Sequence, residues 1–293
     1  MQSQYTPQET IAKEKQIIAG LLNLPGDKTI SLNEVGWESR VYIINSGEFV
    51  FKFPRSEIVR KAYKQEIAGY RLAGQIKSAI VVPKVRWVHP HHDYFGYEGI
   101  VGNTLEDHIH NLSEERKIEI GKDLGTFLKQ LHDLKLEGIP TMTLEQEIAE
   151  FQEKYRIGLP ELKRHFTETG RAKIEQLVFG IYPKKVTGLK MDQALCHGDL
   201  GYWNIIYGKN HQVGIIDFGD LGYYDRSKDF IGVNGQKMLD AVLSQYGDNK
   251  TLREKIVLRK QLLPILDLPY FIGKNNQEGI EKTIVRIRET ALE

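Results

Sequence analysis

Apolar residues recur at helical spacing through the first 25 positions. Ile11, Ile18, Leu21 and Leu22 follow that period, Thr6 stands as a cap with Pro7 at the first helical position, and Glu9 is placed to reach back to the cap amide. This predicts a helix that stops at Pro25 and Gly26. From Lys28 onward the period drops to that of strands, predicted at Thr29–Val35, Arg40–Asn45 and Phe49–Phe53, with Asn45-Ser46-Gly47 as the turn joining the last two. Glu57–Leu72 reads as a helix, and Val81–Val88 with Tyr94–Val101 as a hairpin turning at Pro90. Beyond Gly102 the pattern becomes helical. Ser113 caps a long helix carrying Ile118, Leu124, Phe127, Leu128 and Leu131, and Leu144–Phe179 keeps the same period. Short apolar runs around a turn at Gly208–His211 interrupt it between Ala194 and Ile216. Gly235–Glu293 is helical again, with breaks expected at Pro264 and Pro269. Helix, three strands, helix, two strands, then helices predicts an α+β fold in two lobes, 1–101 and 102–293, the first an antiparallel sheet with a helix and the second larger and mainly helical.

Composition narrows the function. In 293 residues 41% are hydrophobic, enough for a core in each lobe. Forty basic residues stand against 39 acidic ones, so no cationic excess exists to displace counterions from a nucleic acid. The single cysteine, Cys196, excludes an intrachain disulfide or a cysteine zinc cluster and points to a reducing compartment. No apolar run is long enough for a membrane span, and the polar start Met1–Gln8 is no signal peptide. A cytoplasmic protein without a nucleic-acid or membrane partner is expected.

One stretch carries chemistry. His197-Gly198-Asp199 is followed by Asn204, and Asp217-Phe218-Gly219-Asp220 comes after a hairpin. The spacing H-x-D-x-x-x-x-N and then D-F-G is that of the catalytic and metal loops of protein kinases. Six specified residues recur by chance on the order of once in a hundred million starting positions at average residue usage. Phosphoryl transfer requires one carboxylate to orient a hydroxyl and two oxygen ligands to hold Mg²⁺ against nucleotide phosphates, and Asp199, Asn204 and Asp217 are residues of that kind. Such a site also needs a lysine. In Phe49-Val50-Phe51-Lys52-Phe53 the phenylalanines share one face, so Lys52 projects from the other, and Glu66 stands 14 residues on within the predicted helix. Glu57 is the competing partner. Val35-Gly36-Trp37-Glu38-Ser39 offers a phosphate-covering turn with a single glycine at Gly36; Ser39 is a candidate donor to phosphate, whereas Glu38 would repel a triphosphate unless it pointed to solvent. His89, His91 and His92 with Asp93 lack metal-ligand spacing and read as a hairpin turn.

His197-Gly198-Asp199, Asn204, Ile215-Ile216-Asp217-Phe218-Gly219-Asp220, Phe51-Lys52-Phe53-Pro54 and Leu131-His132 resemble the aminoglycoside phosphotransferases, most closely the branch acting on the 2″-hydroxyl. The resemblance runs from about Val35 to Asp229. It implies a protein-kinase-like fold in which Asp199 is the catalytic base or hydroxyl-orienting group, Asn204 and Asp217 hold Mg²⁺, and Lys52 with Glu66 clamps the phosphates. Glu98 to Ile100 would be the hinge whose main chain meets the purine, with the donor left open between ATP and GTP. Asp225 and Asp229 match the family's supporting acids, Asp229 bracing the catalytic loop. A polycationic acceptor calls for further carboxylates, and Asp220, Asp192, Asp267, Glu278 and Glu281 are the candidates. The resulting expectation is a Mg²⁺-dependent kinase transferring a γ-phosphoryl group to a hydroxyl of an aminoglycoside. A metabolic, macrolide or choline-type kinase is the alternative, and a catalytically silent nucleotide-binding regulator the second.

Overall fold

A computed structural model describes residues 6–23, 30–34, 36 and 38–291. In chain order its elements are α1 (Pro7–Leu22), β1 (Ile30–Asn33), β2 (Ser39–Ile44), β3 (Phe49–Pro54), α2 (Glu57–Ala73), β4 (Lys84–Val88), β5 (Phe95–Glu98), β6 (Gly102–Thr104), α3 (Leu105–His108), α4 (Glu114–Asp133), α5 (Leu144–His165) and α6 (Glu168–Gln176). They continue with α7 (Tyr182–Leu189), β7 (Gln193–Cys196), β8 (Ile205–Gly208), β9 (Val213–Ile215), β10 (Gly222–Asp225), α8 (Gln236–Tyr246), α9 (Lys250–Gly273) and α10 (Gln277–Ala291). The chain divides into two compact units, 1–113 with 202–220, and 114–201 with 221–293.

The first unit is built on a five-stranded antiparallel sheet in the order β1-β2-β3-β5-β4. Its period-2 pattern decides the register: Phe51 and Phe53 are buried with Ile18, Ile30, Tyr42 and Ile44, and each such side chain contributes about 1.5–3 kcal/mol on leaving water. The opposite face of β3 is left to Val50 and Lys52. Helix α1 carries the predicted capping box of Thr6 and Glu9, and its Glu14 accepts hydrogen bonds from Arg40 and Tyr42 of β2. The predicted stop at Pro25 and Gly26, the strand ends Thr29 and Val35, and Trp37 lie outside the described residues. A second sheet, β6-β8-β9, belongs to the same unit.

Helices dominate the second unit, whose core joins Phe151, Leu162, Tyr182, Leu262, Ile265 and Ile284 among others. Strands β7 and β10 pair antiparallel beside them, β10 being a strand that the hydrophobic pattern did not signal. The breaks expected at Pro264 and Pro269 do not occur, because α9 runs through both, as α5 runs through Pro160. A proline inside a helix costs roughly 3 kcal/mol through a lost amide and a steric clash. In α9 that cost is offset by core packing, since Leu262, Pro264, Ile265 and Leu268 are buried on either side of the interruptions.

Candidate active site

Lys52 enters the site because β3 turns its phenylalanines to the core. Its Nζ lies 2.6 Å from Glu66 Oε1, on the third turn of α2, and 3.1 Å from Asp217 Oδ1. Both Lys52 and Glu66 are buried. Burial opposes the lysine's charge, but Asp217 and Glu66 outweigh it and hold the ammonium well above its ordinary pKa. Burial pushes the Glu66 carboxyl up to about 7, with Asp217 adding to the rise and Lys52 opposing it. Glu57, the competing partner, pairs instead with Arg60 and Lys61 in the first turns of α2.

Asp217 follows β9 in a left-handed conformation, φ 65°, which aspartate tolerates better than most residues. Its amide donates to the Tyr70 hydroxyl at 2.8 Å, and the Tyr70 ring packs on Phe218 at 5.0 Å. Tyr70 was not singled out by the sequence; its spacing four residues after Glu66 on α2 is the only signal that would have marked it. Asn204 closes a 3₁₀ turn before β8, is buried, and its carbonyl accepts from the Ile216 amide at 3.0 Å. A methyl group added at Gly219 would lie 3.4 Å from Asp217 Oδ1 and 3.9 Å from both Glu38 Oε2 and Glu66 Oε2. Three carboxylates thus converge on the D-F-G glycine and face one ammonium. Asp217 and Asn204 offer a carboxylate and an amide oxygen, the kind of donor a hard divalent cation such as Mg²⁺ takes.

Asp199 belongs to the second unit. The loop carrying it is held by Asp229, whose Oδ2 accepts from the His197 amide at 2.8 Å and whose Oδ1 accepts from the Gly198 amide at 2.9 Å. His132 Nε2 lies 3.0 Å from the same Oδ2, and His132 Nδ1 lies 2.8 Å from the Tyr246 hydroxyl. Burial works against ionisation of Asp229, yet the His132 hydrogen bond and charge, with the loop amides, hold its carboxyl below the ordinary value. Gly198 adopts φ 89°, a conformation that residues with a side chain rarely take. His197 is buried, with its Nδ1 3.3 Å from the Asp199 amide, the position of a loop-orienting group. Cys196 and His132 come near Asp229, but the histidine is engaged on both nitrogens and burial raises the thiol well above its ordinary pKa.

The remaining sequence candidates fare differently. Gly36 is open and exposed. The Ser39 side chain does not face a phosphate site: it is buried, and its hydroxyl lies 2.7 Å from the Tyr63 hydroxyl. Glu98 ends β5 and pairs with Arg86 at 2.9 Å, the Gly99 amide donates to the Glu48 carbonyl, and Ile100 is buried. Asp220 is exposed beside the acids just described and helps raise the Glu38 carboxyl. Asp192 pairs with Arg226 at 2.7 Å, Asp267 with Arg286 at 2.8 Å and Glu278 with Lys282 at 2.6 Å, so each of these acceptor candidates already faces a cation.

The model described as the phosphotransferase enzyme family matches residues 29–240. The chain belongs to that family. Its reaction class is O-phosphoryl transfer. Among solved structures it is similar in fold to an APH(2″) enzyme in complex with GDP and kanamycin, at TM-score 0.78 and 20% identity over 95% of this chain and 98% of that one. A gentamicin complex of APH(2″)-IIa gives 0.71 and 22% over 95% and 96%. The macrolide 2′-phosphotransferase MphH from Brachybacterium faecium gives 0.60 and 16% over 92% and 96%.

Proposed function

We propose that this family member is a cytoplasmic, antibiotic-resistance kinase that transfers the γ-phosphoryl group of ATP or GTP to a hydroxyl of an aminoglycoside. The observation that carries the reading is the buried Lys52 ammonium bridging the carboxylates of Glu66 and Asp217. Residues 1–101 would carry the nucleotide contacts and 102–293 the catalytic and acceptor groups. Lys52, aimed by Glu66, contacts the nucleotide's α and β phosphates. Asp199 orients the acceptor hydroxyl and takes its proton as the new O–P bond forms and the bond from the β–γ bridging oxygen to the γ-phosphorus breaks, the nucleoside diphosphate leaving with that oxygen. Asn204 and Asp217 would hold Mg²⁺, which when bound neutralises charge on the phosphate oxygens. Main chain at Glu98–Ile100 would meet the purine.

The pairing of Asp192, Asp267 and Glu278 with basic side chains favours a second reading, an acceptor of lower positive charge such as a macrolide or an amino alcohol. Purified protein assayed with Mg²⁺ and either nucleotide against aminoglycosides, macrolides, choline and sugars decides between them. Asp199→Ala should abolish turnover, by about a thousandfold or more, while nucleotide affinity stays within several-fold. Unchanged turnover removes Asp199 from the mechanism, and no turnover with any acceptor leaves a nucleotide-binding regulator.

A further inference from the structure

Glu38 has no role in the reaction just described, and it does not stand where the sequence allows a harmless carboxylate to stand. The segment bearing it is exposed, but its Oε2 lies 3.9 Å from the methyl position of Gly219, the same point approached by Asp217 Oδ1 and Glu66 Oε2. Two contacts fix its backbone there. The Glu38 carbonyl accepts from the Arg55 amide at 2.8 Å, and the next residue, Ser39, is locked by ladder pairing to Pro54 and by its buried contact with Tyr63. Among the described residues no salt bridge reaches Glu38. The neighbouring arginines are engaged elsewhere, Arg40 with Glu14 and Arg55 with Glu34, and Lys52 is shared between two other acids. Burial, then the charges of Asp220 and Asp217, raise the Glu38 carboxyl above its ordinary pKa against the pull of Lys52, the direction expected of an anion among anions.

We propose that Glu38 is an electrostatic gate that makes nucleotide binding conditional on a divalent cation, because its carboxylate repels a bare polyphosphate approaching Lys52. The inference rests on the nucleotide reading above. Two like charges about 5 Å apart in a partly buried site repel strongly enough to change an affinity roughly tenfold or more. A cation bound with the nucleotide cancels this repulsion. The gate thus penalises the metal-free nucleotide, which would occupy the site unproductively, and leaves the metal complex nearly untouched.

Calorimetric titration of ADP into the wild type, Glu38→Gln and Glu38→Asp, each in Mg²⁺ and in EDTA, tests the gate, with thermal unfolding to verify that each variant is folded. The Gln variant should bind ADP in EDTA about tenfold more tightly than the wild type while its affinity in Mg²⁺ stays within about threefold. The Asp variant, which keeps the charge, should retain most of the wild-type penalty in EDTA. Equal affinities of wild type and Gln variant in EDTA overturn the gate. So does a large loss of affinity by the Gln variant in Mg²⁺, which makes Glu38 a ligand instead. A wild type that binds no ADP in either buffer overturns both the gate and the nucleotide reading, whereas the first two outcomes leave that reading standing.

Discussion

Asp229 accepts three hydrogen bonds inside the second unit, and two of them come from the amides of His197 and the left-handed Gly198. Asn can reproduce the shape but turns a donor toward an amide that needs an acceptor. Asp229→Asn should therefore lose about 2–4 kcal/mol at neutral pH, read from denaturant midpoints. The pH dependence has a definite sign. The folded carboxyl titrates below its ordinary 3.8, so its contribution is present above that value and disappears as pH falls through the lower folded pKa. The gap between wild type and variant should narrow only below about pH 3.8; a gap constant down to pH 2 would remove the ionised carboxylate from the account. Lys52→Ala should lower kcat/KM by one to three orders of magnitude, as expected of a positioned charge at a phosphate. The pairing of Lys52 with Glu66 was visible in residue spacing. The hydrogen bond from the Asp217 amide to Tyr70 was not, because its partner lies 147 positions away in sequence.

At the scale of elements, periodicity located nearly every long helix and strand, and the misses share a cause. Strands of three or four residues, such as β6 and β10, exist because a partner strand completes their hydrogen bonds, which no local pattern records. The prolines of α9 marked breaks by local rules, and core burial overrode them. Close packing of α4 on α8 gives a sharper case. A methyl group at Gly125 would lie 2.1 Å from the Val242 carbonyl oxygen, and one at Gly121 would lie 2.9 Å from that of Met238. Helix propensity alone favours alanine over glycine by about 1 kcal/mol. Because the obstacle at Gly125 is backbone, Gly125→Ala should instead destabilise by about 1–3 kcal/mol in urea unfolding. Stabilisation would mean that α8 yields easily.

For the whole molecule, ligand binding and folding are linked. Mg²⁺ and ADP together at about a hundredfold over the dissociation constant should add about 2.7 kcal/mol, a rise in melting temperature on the order of 5 °C, and EDTA should remove most of it. A rise that persisted in EDTA would argue against a metal-coupled nucleotide. The sequence by itself determined the reaction class, since the H-x-D-x-x-x-x-N and D-F-G spacing is that of phosphoryl-transfer loops. It also determined the alternation that puts Lys52 and the phenylalanines on opposite faces of one strand. Only the tertiary structure decided that Ser39 is buried against Tyr63, that Glu38 joins Asp217 and Glu66, and that Asp192, Asp267 and Glu278 are already paired. Side-chain direction in a loop and the partner of a surface charge depend on residues distant along the chain, and no local period encodes them.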